Sequence, residues 1–208
     1  MVKTAKTAVI LAGGSSSRMG QDKSQLKLAG MTMIEIIVQK LGKVFEEVIV
    51  VGEREEQFSS LPVIFTRDII VKPVKNSLTG VHAGLSKSSS DYSFVVACDM
   101  PFLNLNLIQY LSEYPVKDYD LVVPLVKDCH QSLHAVYSKR CVDFIADHLN
   151  KDYYRIGYFI TQINTKYIPQ QEIEKYDPDF LSFLNINTRE EYERALKLVK
   201  ERPDLVSV

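Results

Sequence analysis

Short apolar runs rich in valine and isoleucine recur along the chain, and stretches with apolar positions at helical spacing separate them. The runs predict strands at Thr7–Leu11, Glu47–Val51, Val63–Thr66, Ser93–Cys98, Asp120–Val126 and Leu133–Tyr137. Runs such as VIVV and FVVAC are apolar without alternation, as strands covered on both faces are. Two helices carry their own start signals. Thr32 and Glu35 form a T-x-x-E capping box, followed by Ile34, Ile37, Val38 and Leu41 as a buried stripe. Thr188 and Glu191 repeat the device before Tyr192, Ala195, Leu196 and Val199. Further helices are expected from Ser77 or Thr79, from near Asn104, over Lys139–Leu149 and over Arg155–Ile163. The segment Lys166–Pro178 is the least regular part of the interior.

Strand and helix alternate through the first half, which predicts right-handed βαβ units and an α/β fold: a mostly parallel sheet between helices, in three α/β/α layers. Ligands of such sheets bind beyond the carboxyl ends of the strands. The loops after Leu11, Thr66 and Cys98 are therefore the places for chemistry. The chain has 208 residues, one domain's worth, with 46% hydrophobic and 25% charged residues. Its 25 basic residues nearly cancel its 26 acidic ones, so no overall field steers it to nucleic acid or an anionic membrane. Three cysteines without a CxxC pair suit a reducing compartment and argue against zinc. The apolar run after the first lysines is too short for a signal-peptide core or a membrane span. A cytoplasmic location is expected.

The most informative stretch is LAGGSSSRMGQDKSQLKLAG, Leu11 to Gly30. A strand runs into two glycines, three serines, an arginine, another glycine and a lysine. Glycines turn the backbone tightly and let successive N–H groups approach a ligand, which makes a nest for phosphate oxygens. Arg18 and Lys23 supply the positive charge that a polyphosphate needs. The spacing is not that of a P-loop, because Gln21 and Asp22 separate Gly20 from Lys23, and no G-x-G-x-x-G is present. A plain flexible turn is the other reading of a Gly/Ser loop. The ordered GG, Arg18, Gly20 and Lys23 directly after a strand weigh against it.

LAGGSSSRMGQDK resembles the signature loop of the molybdenum cofactor guanylyltransferases, within the Rossmann-like nucleotidyltransferases. The resemblance extends over nearly the whole chain through KNSLTGVHAGL (Lys75–Leu85), VVACDMPFL (Val95–Leu103), HQSLHAVY (His130–Tyr137) and FLNINTREEYERA (Phe183–Ala195). It implies a nucleotide-binding half over 1–100 and an acceptor-binding half over 101–208. Leu11, Ala12, Gly13, Gly14, Ser17, Arg18, Lys23, Gly52, Asp68, Thr79, Gly80 and Asp99 would then contact the nucleotide. His134, Asn185 and Asn187 would face the acceptor. LAGG in that group tends to accompany guanine, which makes GTP and molybdopterin, with or without molybdenum, the expected substrates. Proteins that deliver the cofactor or receive its product are possible partners by the same resemblance. Three positions depart from the family pattern. Asn76 and Ser77 stand where many relatives have Gly-Pro, Ser132 where they often have Pro, and VVGER where some have an Asn after the second strand.

Asp99 follows a buried strand, where a carboxylate suits Mg²⁺, a hard cation that takes one or two carboxylates plus phosphate oxygens. The resemblance assigns it that role, and a cap on the next helix is the alternative. Asn185 and Asn187 read equally as turn formers. The implied reaction is in-line attack by an acceptor phosphate on the α-phosphorus of the triphosphate, with Arg18, Lys23 and Asp99 as the catalytic groups. A cytidylyltransferase, a sugar-phosphate nucleotidyltransferase and a catalytically silent nucleotide-binding adaptor are the competing readings.

Overall fold

The computed structural model describes residues 5–13, 26–114 and 118–207. Its elements begin with β1 (Thr7–Leu11), β2 (Lys27–Leu28), β3 (Met31–Thr32), α1 (Met33–Leu41), β4 (Glu47–Val51) and β5 (Ile64–Thr66). Then come α2 (Ser77–Lys87), β6 (Tyr92–Ala97), α3 (Leu105–Glu113), β7 (Leu121–Val126), β8 (Cys129–His130) and β9 (His134–Ser138). The last are α4 (Cys141–Asn150), α5 (Ile156–Ile160), β10 (Thr165–Pro169), α6 (Gln170–Ile173) and α7 (Arg189–Glu201).

Among the described residues one eight-stranded sheet has the order β10-β7-β9-β6-β1-β4-β5, with β8 paired to the end of β7. β5, β4, β1 and β6 run parallel. β9 runs against β6 and β7, and β10 lies parallel to β7. Successive strand residues point to opposite faces, and both faces are apolar. Ala8, Ile10, Val50, Phe94 and Val136 meet α1 and α3 on one side. Val9, Ile49, Val95, Ala135 and Tyr137 meet α2, α4 and α5 on the other. This is the three-layer arrangement that the strand–helix alternation predicts.

The helix ends follow their sequence signals. Thr32 Oγ1 accepts from the Glu35 N–H at 3.3 Å while the Glu35 carboxylate accepts from the Thr32 N–H at 2.6 Å. The Thr188–Glu191 pair does the same for α7. α1 is buried on two sides, because Met33 and Ile36 turn away from the sheet into a third apolar cluster with Leu28, Phe102, Ile186, Ala195 and Val199.

The stretch Lys166–Pro178 is more regular than its pattern suggests. Thr165–Pro169 forms edge strand β10, and α6 follows. Only Ile168 of that strand is buried. An edge strand with lysine and a terminal proline shows no apolar run to read. The predicted helix over Arg155–Ile163 shortens to Ile156–Ile160.

α2 lies close on β1. A Cβ on Gly80 would come within 3.2 Å of Leu11, and one on Gly84 within 2.2 Å of Val9 Cγ1. Gly84→Ala is expected to destabilise the protein in urea unfolding. The overpacking, typically about 1–3 kcal/mol, outweighs the roughly 1 kcal/mol that alanine adds to a helix. In a Val9→Ala background the same change should cost less. Equal costs in the two backgrounds would disprove this packing account.

Candidate active site

The parallel strands end together. Leu11 pairs with Val51 and Ala97, and Val51 with Thr66. The ladder then overruns the strands: the Ala12 N–H donates to Val51 O at 2.8 Å, Cys98 N–H to Leu11 O at 3.1 Å, and Gly52 N–H to Thr66 O at 3.1 Å. Ala12–Gly13, Gly52, Asp68 and Asp99 therefore emerge along one edge. Gly13 does not take the left-handed backbone, and a Cβ there would meet nothing within 4 Å among the described residues. Open space beside a glycine of such a loop is compatible with the close approach of a ligand. Gly14, Ser17, Arg18 and Lys23 lie outside the described residues.

α2 points its first turn at this edge. The Asn76 side chain accepts from the Thr79 N–H at 3.1 Å, and Thr79 Oγ1 lies 2.9 Å from Asp68 Oδ2, to which it donates. Partial burial raises the Asp68 carboxyl above its ordinary range, with the Thr79 hydrogen bond working against it and the charge of Glu53 adding to it. The sequence reading missed two further groups at this corner. Lys75 Nζ, just before α2, donates to Glu53 Oε1, just past the end of β4. VVGER and KNSLTG each held one of them, 22 positions apart, and nothing in either run signals the pairing.

Asp99 is half-buried beyond β6. The helix-cap alternative fails, since the Asn104 side chain caps α3 by accepting from the Leu107 N–H at 3.1 Å. The Asp99 carbonyl accepts from the Ile186 N–H at 2.9 Å. This bond sets Asn185 and Asn187 beside the strand that ends in the carboxylate. The Asn187 and Thr188 N–H groups both donate to the Glu191 carboxylate, at 2.7 and 2.9 Å, which holds the segment against α7. Further along the Asp99 loop, the Asn104 N–H donates to Ser182 Oγ at 3.0 Å. Buried Lys40 donates to Leu103 O at 3.0 Å and to Leu205 O at 2.6 Å, and burial lowers its pKa to about 8.

A half-buried carboxylate at the open end of a strand is a hard oxygen donor and suits Mg²⁺. Among the described residues no three His, Cys, Asp or Glu side chains cluster closely enough to hold a metal by themselves. Phosphate oxygens would complete such a site.

His134 pairs with Val96, one residue short of the end of β6, but is not exposed there. Its ring is fully buried, 4.9 Å from both Phe94 and Phe183 in edge-on contacts. Neither ring nitrogen has a hydrogen-bond partner, so the imidazole sits beneath the segment that carries the two asparagines rather than on its surface.

Residues 8–162 match the MobA-like NTP transferase domain, and the chain belongs to this family. It is similar to a probable molybdenum cofactor guanylyltransferase of Peptoclostridium acidaminophilum, 36% identical over 201 residues that cover 94% of this chain and 90% of the relative. A molybdenum cofactor guanylyltransferase of Desulfosudis oleivorans is 34% identical over 197 residues, covering 94% and 96%. The crystal structure of molybdopterin-guanine dinucleotide biosynthesis protein A from Archaeoglobus fulgidus superimposes with a TM-score of 0.82 at 26% identity, covering 94% of this chain and 99% of that one. Among the described residues no helix is long and apolar enough to cross a membrane.

Burial holds the His134 pKa at about 3, whereas an unfolded histidine titrates near 6.5. The unfolded chain therefore binds the extra proton first, and stability should fall as pH drops from about 6.5 towards 3. His134→Phe is expected to flatten the curve of urea-unfolding free energy in that window. An unchanged slope would mean that the ring is not buried neutral.

Proposed function

We propose that the chain transfers GMP from GTP to the phosphate of molybdopterin, with or without bound molybdenum, and releases pyrophosphate. An acceptor phosphate oxygen bonds to the α-phosphorus as the bond from that phosphorus to the β-phosphate oxygen breaks. The observation that carries this reading is the Ile186 N–H···O=C Asp99 bond. It joins the carboxyl edge of the nucleotide half, 1–100, to an asparagine-bearing segment of the half assigned to the acceptor, 101–208. Family membership and the names of the relatives support the same chemistry.

In this reading the N–H groups of Gly13 and Gly14 bind phosphate oxygens. Leu11, Ala12 and Ser17 contact the nucleotide as well. Gly52, Asp68, Thr79 and Gly80 border the nucleoside, and Arg18 and Lys23 offset charge on the departing pyrophosphate. Asp99 would hold Mg²⁺. The ion, when bound, neutralises triphosphate charge. A phosphate acceptor is already largely a dianion near neutral pH, so no strong base is required. Positioning and charge neutralisation supply the rate. Asn185 and Asn187 orient the acceptor. His134 supports them from below through Phe183. The three free cysteines suit a reducing cytoplasm, where proteins that deliver or receive the cofactor would meet the enzyme.

The test is Mg²⁺-dependent pyrophosphate release with molybdopterin and each of GTP, CTP, ATP and UTP. GTP is expected to be used selectively. Lys23→Ala and Asp99→Asn should each lower turnover by about 10²-fold or more, as loss of one electrostatic group does elsewhere. Unchanged turnover in either variant would remove that residue from the mechanism. Selective use of CTP would make the chain a cytidylyltransferase. Binding without release by any triphosphate would make it an adaptor.

A further inference from the structure

At the end of β4 the chain leaves the sheet through Gly52. A Cβ on this residue would stand 2.9 Å from Phe58 and 3.4 Å from Phe65, two rings stacked at 5.9 Å. These rings back Gly52 and fix where Glu53 begins. The Glu53 carboxylate accepts from Lys75 Nζ, yet the two side chains stay 63% and 61% exposed. Ion pairs this open contribute only about 0–1 kcal/mol to stability and leave both groups accessible to a ligand. Asp68 feels the charge of both groups, which places them at its corner of the edge.

The reading of this edge as a GTP site sets where the base must lie. The glycine loop leaves β1, and Asp99 leaves β6, so the phosphates belong over those two strands. A base then lies about two strand spacings, roughly 10 Å, to one side. On the β9 side, Phe183 covers His134 and Ile186 is bonded to Asp99. The β4–β5 side is where the open pair stands. Guanine offers two adjacent donors, N1–H and the N2 amino group, beside the acceptor O6. A carboxylate next to an ammonium is the complement: two acceptor oxygens beside a donor. Of the common bases only guanine presents two neighbouring donors for both oxygens of one carboxylate.

We propose that Glu53 and Lys75 read the guanine edge of the nucleotide, Glu53 accepting from N1–H and the N2 amino group and Lys75 donating to O6. This rests on the GTP reading above and makes Glu53 a specificity-determining residue.

The experiment is isothermal titration of the full chain and of Glu53→Gln with GTP, with inosine triphosphate, which lacks the N2 amino group, and with xanthosine triphosphate, which carries oxygen there. The unsubstituted chain should prefer GTP over both analogues by about 10- to 100-fold, the usual worth of a bidentate base contact. In Glu53→Gln the preference over inosine triphosphate should vanish, and xanthosine triphosphate should bind more tightly than to the unsubstituted chain. That gain cannot come from a misfolded variant. Lys75→Met should weaken GTP and inosine triphosphate alike, because both carry O6. A Glu53→Gln protein that keeps the original ratio of GTP to inosine triphosphate affinity would overturn the assignment of Glu53. Failure of the unsubstituted chain to bind GTP would instead overturn the guanylyl reading on which it rests.

Discussion

β1 is hydrogen-bonded along both sides and buried on both faces, and the geometry of the whole edge descends from it. Its parallel register with β4 and β6 delivers Leu11, Val51 and Ala97 to one level. The ladder then carries Ala12 and Cys98 one step further. Gly80 and Gly84 let α2 lie against Leu11 and Val9, so the first turn of that helix arrives at the same level. A side chain larger than hydrogen at position 84 would lift the helix and with it the Thr79–Asp68 contact. Close packing here is thus a condition on the site as well as on stability.

The Asp99 loop shows how late parts of the chain finish an early motif. The FVVAC strand places the carboxylate, but a strand end alone leaves its loop free to move. Ile186, Ser182 and Lys40 each fix one point of it by a hydrogen bond. Ile186 is also buried in the cluster that joins α1, Phe102 and α7, so apolar burial holds the donor in place. The polar contact at the edge and the apolar cluster behind it are therefore one construction.

Much of the architecture was legible because both signals it uses are local. Unbroken apolar runs marked β1, β4, β6 and β7, and T-x-x-E boxes marked α1 and α7. β10 was hidden because an edge strand with one buried residue has no hydrophobic signature. At the carboxyl edge, the placement of Ala12, Gly13 and Asp99 could be read directly, since each follows a strand in sequence. The Glu53–Lys75 pair could not, because it depends on which loops β4 and α2 bring together. The surroundings of His134 were hidden for the same reason. The rings of Phe94 and Phe183 that enclose it come from distant parts of the sequence.

Lys40 has a consequence for how the molecule is made. Its ammonium joins the carbonyl of Leu103 to that of Leu205, a residue 165 positions further along the chain than the lysine itself. Contacts of such sequence separation form late, since a long stretch of chain must be closed before they are made. On the ribosome, the helix caps of the first half and the Asp99 strand can be present while this bond is still impossible. The loop after Asp99 reaches its final anchoring only when residues past 200 have emerged. A nascent chain therefore lacks this anchor until it is nearly complete.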